Sequence, residues 1–327
     1  MEEATKSFTI ENVVAHKRLT QDQVKQELKK VMRFKQGETM LNSFVGNNLL
    51  YHFQMEQLCN TKRRGKLSFS DICKSDDAKK ELIKQMEKRR RTGTWENRLF
   101  ECWRINSGSI TFFKMCSSTY LYKKYKATKV LDFTAGWGGR LLGALNLGID
   151  YIGYDTNINL KTGYDELLAL IKAAPPQKIP KRKKCKGTTK QPNEGVTGSP
   201  CTSSPSSNGG LTGSPRLEMI YQDCRDADFA PLDYDFVLTS PPYEDIEIYE
   251  NMPAGYNVAD TFYKEFLIPM IDKCRQHIKR DGWVAINISP QMYKKLTGKY
   301  NYPKALQVED LKEQKNGKTP DNIYLWK

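Results

Sequence analysis

From Lys129 onward, short apolar runs alternate with longer amphipathic stretches. KVLDF (129–133), YIGYD (151–155), DFVLTS (235–240) and GWVAINI (282–288) have strand length and are rich in β-branched and aromatic residues, which predicts buried strands. EMIYQD (218–223) is a weaker strand of the same kind, and 259–279 repeats its apolar residues at helical spacing. Strand and helix in this alternation predict an α/β fold with a doubly wound, mainly parallel sheet.

Upstream the pattern is helical. Residues 18–36 carry Val24, Leu28, Val31 and Met32 on one face, with Thr20 in the N-cap position. A second helix is expected over 75–91, where Asp76 and Asp77 suit the positive end of the helix dipole and Lys88, Arg89, Arg90 and Arg91 the negative end. These patterns divide the chain into a basic, mainly helical N-terminal region, residues 1–108, and a sheet domain, residues 109–327. Within the second part, residues 175–215 are rich in Pro, Gly, Ser, Thr and Lys and nearly free of large apolar side chains, so a disordered insertion is expected. Its run PKRKKCK (180–186) reads first as a solvated charge run, and second as a nuclear-import signal or nucleic-acid contact.

Charge adds a partner class to this picture. Residues 1–130 hold 27 Lys/Arg against 14 Asp/Glu, so +13 of the chain's formal +14 lies there. A basic region beside a near-neutral one suits a polyanion, DNA or RNA. The candidate phosphate contacts are Lys62, Arg63, Arg64, Arg89, Arg90 and Arg91. The eight cysteines form no CxxC pair and have no His cluster nearby, so reduced thiols are expected and a metal site is not. No apolar run approaches the roughly 18 residues of a membrane span, and MEEATKSFTI lacks a signal peptide's apolar stretch; a soluble, intracellular protein is expected.

Two stretches carry chemistry. In LDFTAGWGGR (131–140) a strand runs through a glycine-rich turn into a helix, a nucleotide-type pocket in which glycine permits a positive φ and the helix start offers free N–H groups. Leu141 stands where a dinucleotide fingerprint has its third glycine, which disfavours an oxidoreductase. Asp155 ends the next strand, where a carboxylate accepts from ribose hydroxyls; the plainer role is to cap a helix beginning near Asn159. Asp223 ends the weaker strand and is placed either to accept from an adenine amine or to act as a cap. In the second stretch a buried strand emerges into Ser240, Pro241, Pro242 and Tyr243, two prolines fixing the backbone where open α/β sheets bind ligands. A base amine is a poor nucleophile because its lone pair is delocalised into the ring. If Ser240 Oγ and the Pro241 carbonyl accept its two hydrogens, the lone pair turns outward, and Tyr243 can stack on the flipped base.

Phe133-Thr134-Ala135-Gly136-Trp137-Gly138 and Ser240-Pro241-Pro242-Tyr243 resemble the paired signatures of the SPPY-type amino-methyltransferase family, the cytosine-N4 and adenine-N6 enzymes of DNA modification. The cofactor loop carries one additional residue before its first glycine, and the proline loop matches in full. The resemblance covers residues 110–327. It implies a Rossmann-like methyltransferase sheet closed by NIYLWK (322–327), and an enzyme using S-adenosyl-L-methionine. Asp132, Phe133, Ala135, Gly136 and Gly138 would then line the methionine end of that cofactor, Asp155 its ribose and Asp223 its adenine, with Phe112 and Phe113 beside them. It also implies methylation of an exocyclic base amine in DNA. Serine opening the loop resembles the cytosine-N4 branch more than the adenine-N6 branch, so cytosine is expected first and adenine second. An RNA-base methyltransferase and, in a different class, a catalytically silent nucleic-acid-binding subunit are the alternatives. Target recognition is left to the N-terminal region, the insertion, or a partner or further copy of the chain.

Overall fold

The computed structural model describes residues 9–89, 91–106, 111–174, 214–243, 247–248, 258–311 and 322–327. The expected insertion up to residue 213, the division at 108 and 109, and Arg90 lie outside the described residues.

Helices come first. Thr9 caps α1 (Ile10–Lys17), and Thr20 caps α2 (Gln21–Arg33) in a capping box with Gln23, the N-cap that the sequence predicts. There follow α3 (Asn47–Asn60), β1 (Lys62–Arg63), the single-turn α4 (Phe69–Cys73), α5 (Asp76–Lys88, capped by Ser75) and α6 (Trp95–Asn106). Then α7 (Met115–Lys124) leads into β2 (Lys129–Asp132), α8 (Gly139–Leu147), β3 (Asp150–Asp155), α9 (Lys161–Ala173), β4 (Leu217–Tyr221), β5 (Phe236–Thr239) and β6 (Glu247–Ile248). The helix expected over 259–279 has three parts: a turn (Ala259–Thr261), a π-helical stretch (Phe262–Leu267) and α10 (Ile268–His277). Pro269, just past the wide stretch, lacks the N–H that would bond four residues back, which accounts for the change of pitch. β7 (Trp283–Ile288), α11 (Pro290–Gly298), β8 (Gln307–Asp310) and β9 (Asn322–Trp326) complete the chain.

Seven strands form one sheet in the order β4-β3-β2-β5-β7-β9-β8, parallel except where β9 runs against β7 and β8. Successive side chains point to opposite faces, so Val130, Tyr151, Phe236 and Leu238 enter one buried cluster and Leu131, Ile152 and Val237 the other. α7, α8 and α9 cover the first face, the π-helical stretch with α10 and α11 the second. The N-terminal helices belong to the first cluster: Leu28, Val31, Leu49, Phe69, Phe100 and Trp103 are continuous with Leu142 and Tyr164. Asn146 of α8 donates to the last carbonyls of α2, Val31 O at 2.8 Å and Phe34 O at 3.0 Å.

Two further contacts set up the site. A Cβ at Gly139 would lie 1.8 Å from the Phe113 carbonyl, and one at Gly143 2.2 Å from Ser118 Oγ, so only glycines let α8 approach α7 this closely. The chain beyond the proline loop returns to the N-terminal region, with β6 pairing antiparallel to β1 through Lys62↔Ile248 and Arg63↔Glu247. Strand order reverses between β2 and β5, the position at which open α/β sheets leave a crevice.

Candidate active site

The loops that follow β2 and β5 meet at this reversal. In the first, Gly136 has φ +58° and Gly138 φ +95°, conformations that strain any L side chain. Asp155 folds onto the turn: one carboxylate oxygen accepts the Gly136 N–H at 2.7 Å and the other the Asn157 N–H at 2.9 Å. The cap on the next turn is Asn157, whose Oδ1 accepts the Asn159 N–H at 3.2 Å. Burial pushes the Asp155 carboxyl up to about 6, against the two backbone N–H groups, which act to lower it. Beside it opens a pocket of about 680 Å³, solvent at its mouth included, with apolar walls from Phe133, Trp137, Leu160 and Phe266 and polar groups from Asp155 and Gln222.

Beneath the glycine turn lies a buried polar network. Asp132, fully buried, accepts from Arg140 Nε at 2.6 Å, Tyr151 Oη at 2.7 Å and Thr239 Oγ1 at 2.8 Å. Arg140 also donates to the Thr134 carbonyl, and the Thr134 N–H donates to Thr239 Oγ1 at 3.1 Å. Asp132, buried beside it, favours the charged form of Arg140 against the opposing effect of burial. Since Thr239 ends β5 and Asp132 ends β2, the network ties the two loops together.

The second loop forms a partition. Ser240 and Pro242 line the first pocket, while Ser240, Pro241 and Tyr243 line a neighbouring cleft of about 1560 Å³, measured to its open mouth. Asn287, at the end of β7, donates from Nδ2 to Ser240 Oγ at 3.0 Å. Its Oδ1 is buried and finds no partner among the described residues. The opposite wall comes from the N-terminal region and from Phe112, Phe113 and Lys114.

Of the residues singled out from sequence, Phe133, Gly136, Asp155 and Ser240 come together around the first pocket, and Ala135, Gly136, Pro241 and Tyr243 around the second. Phe112 and Phe113 stand on the second cleft rather than the first. Asp132 lines neither, being enclosed by Arg140, Tyr151 and Thr239, and Gly138 packs against Leu50 and Tyr164. Asp223 is also outside the pocket lining: Arg225 holds its carboxylate at 2.6 Å, and the neighbouring Gln222 lines the pocket instead. Lys62 pairs with Asp71 at 3.2 Å and Arg89 donates to Asn106 at 2.6 Å; neither they nor Arg63, Arg64 and Arg91 line either cavity. Gln222, Asn287, Arg140, Leu160 and Phe266 went unread in the sequence; only Arg140, directly after the glycines, carried a local signal, a cation one glycine turn after a strand-ending acid.

Among the described residues no helix is long and apolar enough to cross a membrane, and no group of three His, Cys, Asp or Glu side chains is placed to hold a metal ion. No protein-family model and no curated protein matches this chain. Among solved structures it is similar to TehB from Haemophilus influenzae, with 13% identity over 69% of this chain and 65% of that one, TM-score 0.34. It is also similar to an rRNA methylase from Streptococcus thermophilus (11% identity, 66% of this chain, 97% of that one, TM-score 0.38). A third is the tRNA m1G37 methyltransferase of M. jannaschii (12% identity, 66% of this chain, 49% of that one, TM-score 0.34). This chain therefore spans just under two thirds of TehB and half of the tRNA enzyme. The likeness is a partial overlap of fold, and the doubly wound, Rossmann-like architecture stands on the chain's own strand order.

Proposed function

We propose that this chain is an S-adenosylmethionine-dependent methyltransferase acting on the exocyclic amine of a nucleic-acid base. The observation that carries the reading is Ser240, which together with Gly136 and Trp137 lines both cavities, so that the proline and glycine loops stand between a donor pocket and an acceptor cleft. The first pocket suits the cofactor in the groups that line it. Asp155 offers a carboxylate to the ribose hydroxyls, Leu160 and Phe266 offer apolar walls to a purine, and Gln222 offers an amide to its edge. Bound there, S-adenosylmethionine supplies an electrophilic methyl group on a sulfonium.

The chain's own residues prepare the acceptor. Asn287 occupies one lone pair of Ser240 Oγ, which leaves the other for an amine hydrogen. The Pro241 carbonyl is the second acceptor, and Tyr243 the stacking surface. Two acceptors on one amine draw its lone pair out of the ring, and the proton departs once the nitrogen has been methylated and made acidic, so no strong base is required. Cytosine N4 in DNA is the acceptor placed first, from the serine that opens the loop, followed by adenine N6 and by an RNA base.

Labelled S-adenosylmethionine with DNA and RNA panels, followed by nucleoside mass spectrometry, tests this. N4-methylcytosine is the expected product; N6-methyladenine or a modified ribonucleoside would move the base or the polymer and keep the mechanism. Ser240→Ala and Tyr243→Ala should each lower transfer by roughly 10- to 100-fold, through loss of one amine acceptor and of one stacked ring respectively. A fully active Tyr243→Ala enzyme would remove the stacking role. Cofactor binding with no transfer to any nucleic acid would favour the silent subunit.

A further inference from the structure

The acceptor cleft is lined in part by an exposed aromatic ring with a cation over it. Phe44 is 67% exposed, the most exposed of the large apolar side chains among the described residues. Lys114 Nζ sits 4.5 Å from the centroid of its ring and donates to Asn42 Oδ1 at 2.7 Å. All three residues line the same cleft as Ser240, Tyr243 and Asn287.

This corner is held in place. The Ser43 N–H donates to Cys116 Sγ at 3.4 Å, whose thiol returns a bond to the Ser43 carbonyl at 3.3 Å, and Lys123 Nζ donates to the Gln36 carbonyl at 2.9 Å. The segment that displays Phe44 is therefore fastened to α7. Lys114 occupies the N-cap of that same helix, which fixes where its side chain starts. The ammonium stands over the Phe44 ring, and the side chain stays largely exposed. An exposed aromatic ring beside a fixed positive charge is the pairing that takes an unpaired base and its phosphate.

We propose that Phe44 and Lys114 form a landing platform for the nucleotide next to the one entering the cleft, Phe44 stacking on its base and Lys114 meeting its phosphate. The ligand is a single-stranded or locally opened nucleic-acid strand. This rests on reading the cleft as the acceptor site, and it moves strand recognition from the Lys62–Arg64 and Arg89–Arg91 clusters to the cleft itself.

Fluorescence anisotropy with a fluorescein-labelled 12-nucleotide single strand, as deoxy and ribo versions, tests the platform without requiring turnover. Phe44→Ala should weaken binding roughly 5- to 100-fold, and Phe44→Trp should retain it. Lys114→Met should make the slope of log affinity against log salt shallower by about 0.7, the share of one phosphate contact on a single strand. Lys29→Glu, an exposed charge on α2, serves as the control and should leave the Phe44 effect unmatched. Because Phe44 is exposed, its removal does not threaten the core, and calorimetric affinity for S-adenosylmethionine should be unchanged in all variants. Unchanged oligonucleotide affinity and salt slope in both Phe44→Ala and Lys114→Met overturn the platform. A wild-type protein that takes up the oligonucleotide through these residues but no S-adenosylmethionine overturns the donor pocket and upholds the platform.

Discussion

Acidification is the sharpest test of the role given to Asp155. In the free protein, burial holds its carboxyl at about 6, above the 3.8 of an ordinary aspartate. Ribose hydroxyls donate, so they favour the ionised form, and every proton taken up by Asp155 competes with the ligand. With a free-state value of about 6, roughly nine-tenths of the molecules are ionised at pH 7 and roughly one-tenth at pH 5. Affinity for S-adenosylmethionine should therefore fall about tenfold between pH 7.5 and 5, and change little between pH 7 and 8. The stability of the free protein runs the other way: a carboxyl raised on folding binds an extra proton between 3.8 and about 6, and its ionisation costs at most about 3 kcal/mol as pH rises through that window. Ligand should return part of this cost, so the thermal shift it produces should be larger at pH 7.5 than at pH 5. Calorimetric titration of the wild type and Asp155→Asn at pH 5, 6 and 7.5 reads all of this. The variant should bind weakly and with no dependence on pH. A wild-type affinity that stays flat from pH 7.5 to 5, or a variant with the wild-type slope, refutes the assignment.

Three other outcomes follow from the packing. Arg140→Met leaves the Asp132 carboxylate buried without its cation and should cost about 3–5 kcal/mol, whereas Asp132→Asn with Arg140→Met should recover most of it in thermal melts; a double variant no more stable than Arg140→Met would discount the pair. Gly139→Ala drives a methyl group into the Phe113 carbonyl and should lower the thermal midpoint by the equivalent of about 1–3 kcal/mol, and an unchanged midpoint would contradict the close approach of α7 and α8. Replacing residues 178–213 with a short flexible linker should leave midpoint and cofactor affinity nearly unchanged, from composition alone, and a collapse would show that the segment folds against the core.

Strands of the parallel sheet were legible because burial on both faces makes each a continuous apolar run, as in FVLT and WVAINI. The two motif loops were legible because they follow such runs directly. α3 was not, since its buried face mixes Gln54, which donates to the Leu160 carbonyl at 3.3 Å, with Leu49, Leu50, Met55 and Leu58. β8 is a short edge strand with mostly exposed side chains, and nothing in QVED announces it. Asp132 drew a cofactor role because it ends β2, yet its partners Tyr151 and Thr239 reach it only across neighbouring strands. Gln222 and Asp223 differ by one position at a strand end, and the Asp223–Arg225 pair across a tight turn decides which of them is left to the pocket.

The fusion of the N-terminal helices with the sheet bears on how such a protein acquires new targets. Where recognition sits on a detachable cassette, whole modules can be traded by recombination. Here α9 meets α3 so closely that a Cβ at Gly163 would fall 2.2 Å from the Phe53 carbonyl, and β1 is the hydrogen-bonding partner of the strand that leaves the proline loop. A crossover anywhere between α2 and α7 would divide one hydrophobic cluster between two unrelated parents. With the platform as proposed, preference would shift instead through single substitutions at Leu41 and Phe44, whose exposed side chains take no part in that cluster. The architecture thus favours gradual drift of specificity over its wholesale exchange.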